Sequence, residues 1–165
     1  MAGCAAVSVP GGSNYGSLAC DAAALHGSVG WEAGGGVRFG DVAVANRSSS
    51  ACTVRGWPTV RVELRNGHTA RLRIHDTAAS IDRLVGRRGR TLLIPVGEAA
   101  RAGITWTNWC SAGGGSGFSF LLGAPAWRGK VRVRVGSHGP TAPPCLNSSQ
   151  PSQLFVTPFQ TDSLV

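Results

Sequence analysis

An all-β fold, built as a sandwich of short antiparallel strands, is what this sequence predicts. Three features predict it: hydrophobicity with a period of two, turn residues at close intervals, and a scarcity of helical runs. Among 165 residues there are 24 glycines and 9 prolines, charged residues make up 15% and hydrophobic residues 42%. Such a chain turns often and carries enough apolar material for one core.

Residues 5–19, AAVSVPGGSNYGSLA, are small and polar with no periodicity. That is the chemistry of a tether, so the folded domain is expected over 20–160, with 161–165 as a tail. Within the domain, alternation marks strands at 37–46, 59–64, 69–75, 90–96, 100–108, 117–122 and 130–135. NRSSSA, GRRGR, CSAGGGSG and GSHGPTAPP supply turn signals between them. Only ASIDRLVG, at 79–86, has the character of a helical turn.

One hairpin can be tested against its own parity. In VRVELRNGHTARLRI a two-residue Asn66-Gly67 turn would set Val62 opposite Arg71 and mix the two faces. A three-residue loop of Arg65, Asn66 and Gly67, with Gly67 left-handed, instead pairs Val62 with Ala70 and Val60 with Leu72. It turns Val60, Val62, Leu64, Ala70, Leu72 and Ile74 inward, and Arg61, Glu63, Arg65, Arg71 and Arg73 outward. The strand KVRVRV repeats the device, with Lys130, Arg132 and Arg134 outward. If the two segments are neighbours, Arg61, Arg65, Arg71, Arg73, Lys130, Arg132 and Arg134 form a basic patch. Such a patch is either a solvated face that blocks edge-to-edge aggregation or a site for a polyanion.

The net charge is +8, and Lys130 is the one lysine beside 15 arginines, a skew that reads as the codon bias of a GC-rich genome. A basic domain attracts acidic lipid headgroups, envelope polymers or nucleic acid without choosing among them. No run approaches the roughly 18–20 apolar residues of a membrane-spanning helix, so anchoring, if there is any, has to be covalent.

Signatures of catalysis are missing: there is no GxSxG elbow, HExxH or P-loop, and the glycines at 113–117 lack the Lys and Ser/Thr that phosphate binding needs. His68 and His75, seven residues apart on one expected strand, point to opposite faces, and His26 and His138 sit in turn-rich stretches. Asp76 and Asp82, the nearest carboxylate pair in a loop, read as turn or capping residues. No catalytic residue, metal site or cofactor is assigned. The three-residue glycan acceptor pattern occurs at Asn46-Arg47-Ser48 and Asn147-Ser148-Ser149, where chance explains it.

Of the five tryptophans, Trp57 and Trp106 read as core. Trp31 and Trp127, beside glycine-rich turns, are the candidates for exposed rings that contact carbohydrate. In TWTNW, alternation sets Asn108 on the same face as Trp106. The cysteines Cys4, Cys20, Cys52, Cys110 and Cys145 include no CxxC pair and no histidine at zinc-ligand spacing, so disulfides in an oxidising compartment are expected.

The strings CTVRGWP (52–58) after Cys20, ITWTNWC (104–110) and PPCLNSSQPSQLFVTPF (143–159) resemble an actinobacterial family of secreted and lipoprotein domains of unknown function. The matching positions are Cys20, Asn46, Cys52, Gly56, Trp57 in the place of an aromatic, Pro58, Trp106, Trp109, Cys110, Pro144, Cys145 and Ser152. The resemblance implies an immunoglobulin-like β-sandwich of about seven to eight strands, exported to the cell envelope, with no assigned activity. It also implies the disulfides Cys20–Cys52 and Cys110–Cys145, each worth roughly 3–4 kcal/mol on chain-entropy grounds.

Those pairings leave Cys4 over. Met1-Ala2-Gly3-Cys4 looks like the end of a bacterial lipoprotein signal whose charged and apolar regions are absent, with Met1 an internal residue of a longer precursor. A lipid on Cys4 and a relaxed linker of on the order of 20 Å would hold the domain near the membrane; the other reading of Cys4 is a free or intermolecular thiol. The function read from the sequence is an extracytoplasmic, membrane-anchored or secreted envelope domain, not an enzyme. Its expected partners are the membrane and an anionic envelope polymer or envelope protein rather than nucleic acid. A carbohydrate-binding module for cell-wall polysaccharide is the alternative.

Overall fold

Strands that alternate apolar and polar residues must each cover one face, and here two sheets cover one another. The computed structural model describes residues 18–77, 90–110, 117–135 and 141–161. Cys4 and residues 5–17 of the expected linker, the helical turn at 79–86, Asp82, His138 and most of the glycine loop lie outside the described residues, whereas Leu18 and Ala19, the last two residues of that linker, join the fold, the Thr53 N–H donating to the Leu18 carbonyl at 3.0 Å.

A 3-10 turn, Ala22–Ala24, opens the domain, with the Asp21 carboxylate accepting from the Ala23 N–H at 3.0 Å. The strands follow as β1 (Leu25–Gly34), β2 (Val37–Asn46), β3 (Cys52–Arg55), β4 (Thr59–Leu64), β5 (Arg73–Asp76), β6 (Thr91–Ile94), β7 (Ala99–Thr107), β8 (Phe118–Gly123), β9 (Val131–Arg134), β10 (Gln153–Val156) and β11 (Gln160–Thr161). The larger sheet has the order β1-β2-β7-β10-β5, with β11 also paired to β7; the smaller is β4-β8-β9; β3 and β6 form a ribbon. The all-β class and the sandwich are as expected. The strands outnumber the expected seven or eight, and β5 runs parallel to β10 rather than antiparallel.

β1 and β2 form a long hairpin closed by Gly35 and Gly36 at φ 55° and 79°, the double left-handed turn that matches strand twist. Alternation gave no sign of β1 because glycine holds one of its inward positions. That position is Gly27, where a Cβ would lie 2.4 Å from a Val133 methyl, so its absence lets β1 close against β9.

The Arg65-Asn66-Gly67 hairpin forms as predicted. Gly67 has φ 81°, its N–H donates to the Leu64 carbonyl at 2.9 Å, and the Ala70 N–H donates to the Val62 carbonyl at 2.8 Å. The expected continuation to a Val60–Leu72 pair does not occur. After Ala70 the chain crosses to the other sheet, where β5 pairs with β10. Ile74 keeps the predicted parity, sharing the face of Leu154, but it sits on an edge strand and is 42% exposed.

The two sheets meet through aromatic rings. Trp31 and Trp106 of the larger sheet stack at 5.9 Å, and Phe118 and Phe120 of β8 meet Trp31 edge-on at 5.6 and 5.4 Å. The Trp106 indole N–H donates to the Ser152 hydroxyl at 2.7 Å, which satisfies the one polar atom this ring brings into the core. Cys20–Cys52 and Cys110–Cys145 are the two disulfides, the connectivity that the resemblance implied.

Between β8 and β9, Ala124 to Trp127 form a turn with Pro125 second and Ala126 third. The Trp127 N–H donates to the Ala124 carbonyl at 3.1 Å, and Ala126 is left-handed at φ 70°. The left-handed penalty of an L-residue, about 1–2 kcal/mol, exceeds the roughly 0.4–1 kcal/mol of unfolded-state entropy that glycine adds. Ala126→Gly is therefore expected to stabilise the domain by about 0.5–1 kcal/mol, measurable as a raised midpoint in thermal or urea unfolding.

Candidate functional site

The outer face of β4-β8-β9 carries the side chains that alternation turned away from the core. Register sets Arg61 opposite Leu121 and Leu121 opposite Arg132; Glu63, Ser119 and Arg134 form the next row. β8 therefore stands between the two basic strands, and cations two strands apart are separated by about 10 Å. Lys130 belongs to the same face, since its Cγ lies 3.9 Å from where a Cβ on Gly123 would stand. Arg65 lies at the rim beside Gly117, its Nε 3.2 Å from that glycine's ideal Cβ position.

Glu63 reaches diagonally across β8 and takes both arms of the Arg132 guanidinium, at 2.5 and 3.2 Å. The hydrogen bond from Arg132 holds the Glu63 carboxyl below its usual range, so the carboxylate persists into mildly acidic conditions and Arg132 is neutralised. Arg61, Arg65, Lys130 and Arg134 have no carboxylate partner among the described residues. Four uncompensated cations on one sheet face create a positive potential suited to a multivalent anion.

The structure does not bring all seven predicted cations together. Arg73 lies on β5 in the larger sheet, and Arg71 is in the segment that crosses between sheets. The hairpin that was expected to carry them beside Arg61 ends at Ala70, so the patch is smaller than alternation implied.

The two rings proposed for carbohydrate contact are not free. Trp31 packs between Trp106, Phe118 and Phe120, and Trp127 lies against Phe159 with ring centroids 5.7 Å apart. The indole nitrogens of both are buried without a hydrogen-bond partner among the described residues. Trp106 and Trp109 are core, and Trp57 is half-buried with its N–H donating to the Thr77 carbonyl at 3.1 Å. No pair of tryptophans forms an exposed platform.

Asn46 is fully buried. Its amide donates to the carbonyls of Ser50 and Ile94 at 2.8 and 3.0 Å, and its oxygen accepts from the Ser48 N–H and hydroxyl at 2.9 and 2.6 Å. It is a plug between β2, β6 and the Ser48–Ser50 turn, with no atom left for a glycan. Asp76 ends a strand rather than lying in a loop, and His68 lies in the turn while His75 stacks on Phe155 at 4.8 Å, so the two histidines do not share a strand. Among the described residues no three His, Cys, Asp or Glu side chains are grouped to hold a metal ion, and no helix is long and apolar enough to cross a membrane.

A residue that sequence reasoning undervalued is Asn108, just past β7. It is left-handed at φ 57° and 5% exposed. Its oxygen accepts from the N–H groups of Leu146 and Asn147 at 2.9 and 2.8 Å, and its amide donates to the carbonyls of Asn147 and Gln150, both at 2.9 Å. The signal for it was TWTNWC itself, where alternation sets an asparagine on the face of Trp106, two residues before a cysteine.

The distinctive sequence positions are thus structural. Cys20, Cys52, Cys110 and Cys145 are bridged, Trp106 is bonded to Ser152, and Asn46 and Asn108 fill polar sockets. The disulfides point to an oxidising, extracytoplasmic setting. No curated protein and no solved structure matches the chain. The bridges and the sockets all fall within residues 20–160, the stretch over which the chain matches the family described as a domain of unknown function, DUF4232, and the chain belongs to that family.

Proposed function

We propose that this is an extracytoplasmic, non-enzymatic binding domain, tethered to the membrane through a lipid on Cys4, that holds an anionic envelope component against the outer face of β4-β8-β9. The observation that carries the reading is the cluster of Arg61, Arg65, Lys130 and Arg134 without carboxylate partners among the described residues. Such a face attracts a polymer with many weak contacts, each screened by salt.

The test is retention of the purified domain on an immobilised sulfated polysaccharide as a polyanion probe, across a salt gradient. The double variant Arg61→Glu with Arg134→Glu is expected to bind at least tenfold more weakly. Arg71→Glu with Arg73→Glu, which has the same net charge, is expected to stay near the parent. Equal losses in the two variants would mean that only overall charge matters, and no loss in either would reject the face as a site.

A further inference from the structure

Among the described residues, a seam between the two sheets lies open between β4 and β5. A groove of about 650 Å³ runs along it, lined by Trp57, Pro58, Val60, Ile74 and Pro125, with Arg55, Thr59 and Asp76 at its polar positions. Its volume is that of a site for a few side chains, and its walls are mostly apolar.

One wall is a sheet edge. The Arg73 N–H donates to the Ser152 carbonyl at 2.9 Å and the Thr77 N–H to the Val156 carbonyl at 2.8 Å. In a parallel ladder only alternate residues face the neighbour, so Arg73, His75 and Thr77 face β10. The N–H and C=O groups of Ile74 and Asp76 therefore face away from it, and β5 is the last strand of its sheet among the described residues. Unpaired strand edges normally carry devices that discourage pairing; this one presents Ile74, 42% exposed, to the groove.

We infer that the β5 edge and the adjoining groove bind an extended peptide segment of a partner protein, one that alternates apolar and acidic residues. The peptide adds a strand beside β5, using the free groups of Ile74 and Asp76. Its apolar side chains enter the slot between Ile74, Val60 and Trp57. Its acidic side chains, on the opposite face of the added strand, meet Arg73 on the outer side of β5, which has no carboxylate partner among the described residues, so an acidic strand is preferred over a basic one.

The experiment follows amide exchange by NMR in the full chain, with a blocked seven-residue peptide of alternating Glu and Val as the probe and its Lys/Val counterpart as control. Saturating Glu/Val peptide is expected to slow exchange at Ile74 and Asp76 at least tenfold, and the Lys/Val peptide to have little effect. Ile74→Pro removes an N–H that the β10 ladder does not use and is expected to weaken binding at least tenfold while the remaining amide spectrum is kept. Arg73→Glu is expected to shift the preference toward the Lys/Val peptide. Slow exchange of both amides in the free chain would overturn the inference, because the edge would already be covered by the chain itself or a second copy. So would binding that survives Ile74→Pro but is lost with Arg61→Glu and Arg134→Glu, since the peptide would then be held only as a polyanion.

Discussion

Replacing Asn108 by alanine is expected to lower the stability of the domain by about 3–5 kcal/mol. The Asn108 amide serves four backbone groups of the segment that follows Cys145, two as acceptor and two as donor. Truncation leaves the Leu146 and Asn147 N–H groups and the Gln150 carbonyl without this partner at a site that is 5% exposed, and each such loss costs about 1–3 kcal/mol before relaxation, while the Asn147 carbonyl keeps the Gln150 N–H at 3.1 Å. Alanine also has to hold the left-handed backbone at φ 57°. Asn108→Gly separates the two contributions, since it relieves the backbone but still lacks the amide, and it is expected to recover about 1 kcal/mol. Asn108→Asp keeps the acceptor for Leu146 and Asn147 and loses the donor to Asn147 and Gln150. Urea unfolding of the three variants, with both disulfides intact, orders them. Equal stability of Asn108→Ala and the parent would show that the segment around Cys145 needs only its disulfide.

Gly40→Ala is expected to cost at least about 3 kcal/mol, above the usual 1–3 kcal/mol of overpacking, because the obstruction is backbone. Gly40 pairs with Trp31 across the β1–β2 hairpin, and a Cβ there would stand 2.1 Å from the Gly30 carbonyl oxygen and 2.5 Å from the Trp31 Cα. Relief requires shifting β1 at the residue whose ring joins the two sheets. Gly30→Ala is the control, since a Cβ at Gly30 meets nothing within 4 Å, and it is expected to change stability by under about 0.5 kcal/mol. The contrast is read as unfolding midpoint together with the tryptophan near-UV signal, which Gly40→Ala should diminish and Gly30→Ala should preserve.

Several details of the site were legible before any fold was known, because they depend on neighbours close in the chain. The bulged turn at Gly67 follows from parity alone, and so does the outward set Arg61, Arg132 and Arg134. The burial of Asn108 beside Trp106 follows from TWTNW. Other details were not legible because they depend on partners far along the chain. Arg71 and Arg73 obey the same alternation as Arg61 but are carried off when β5 leaves for β10. QLFV of β10 is too short to read as a strand until β7 and β5 are seen on either side of it. Trp31 and Trp127 have glycine-rich neighbours, which suggested exposure. The glycine at Gly40 is instead what lets β1 lie close to β2 and hold Trp31 over the core.

By itself, the sequence determined the β class, the in-or-out sense of most strand residues and the conformation of one hairpin. Each follows from a two-residue period or from local backbone preference. Tertiary structure alone decided which strands became neighbours, hence which cations share a face, which rings are covered and which edge stays open. Alternation says that a side chain points to one side of its strand; it does not say which sheet the strand will join, and that choice rests on pairings whose partners lie tens of residues apart.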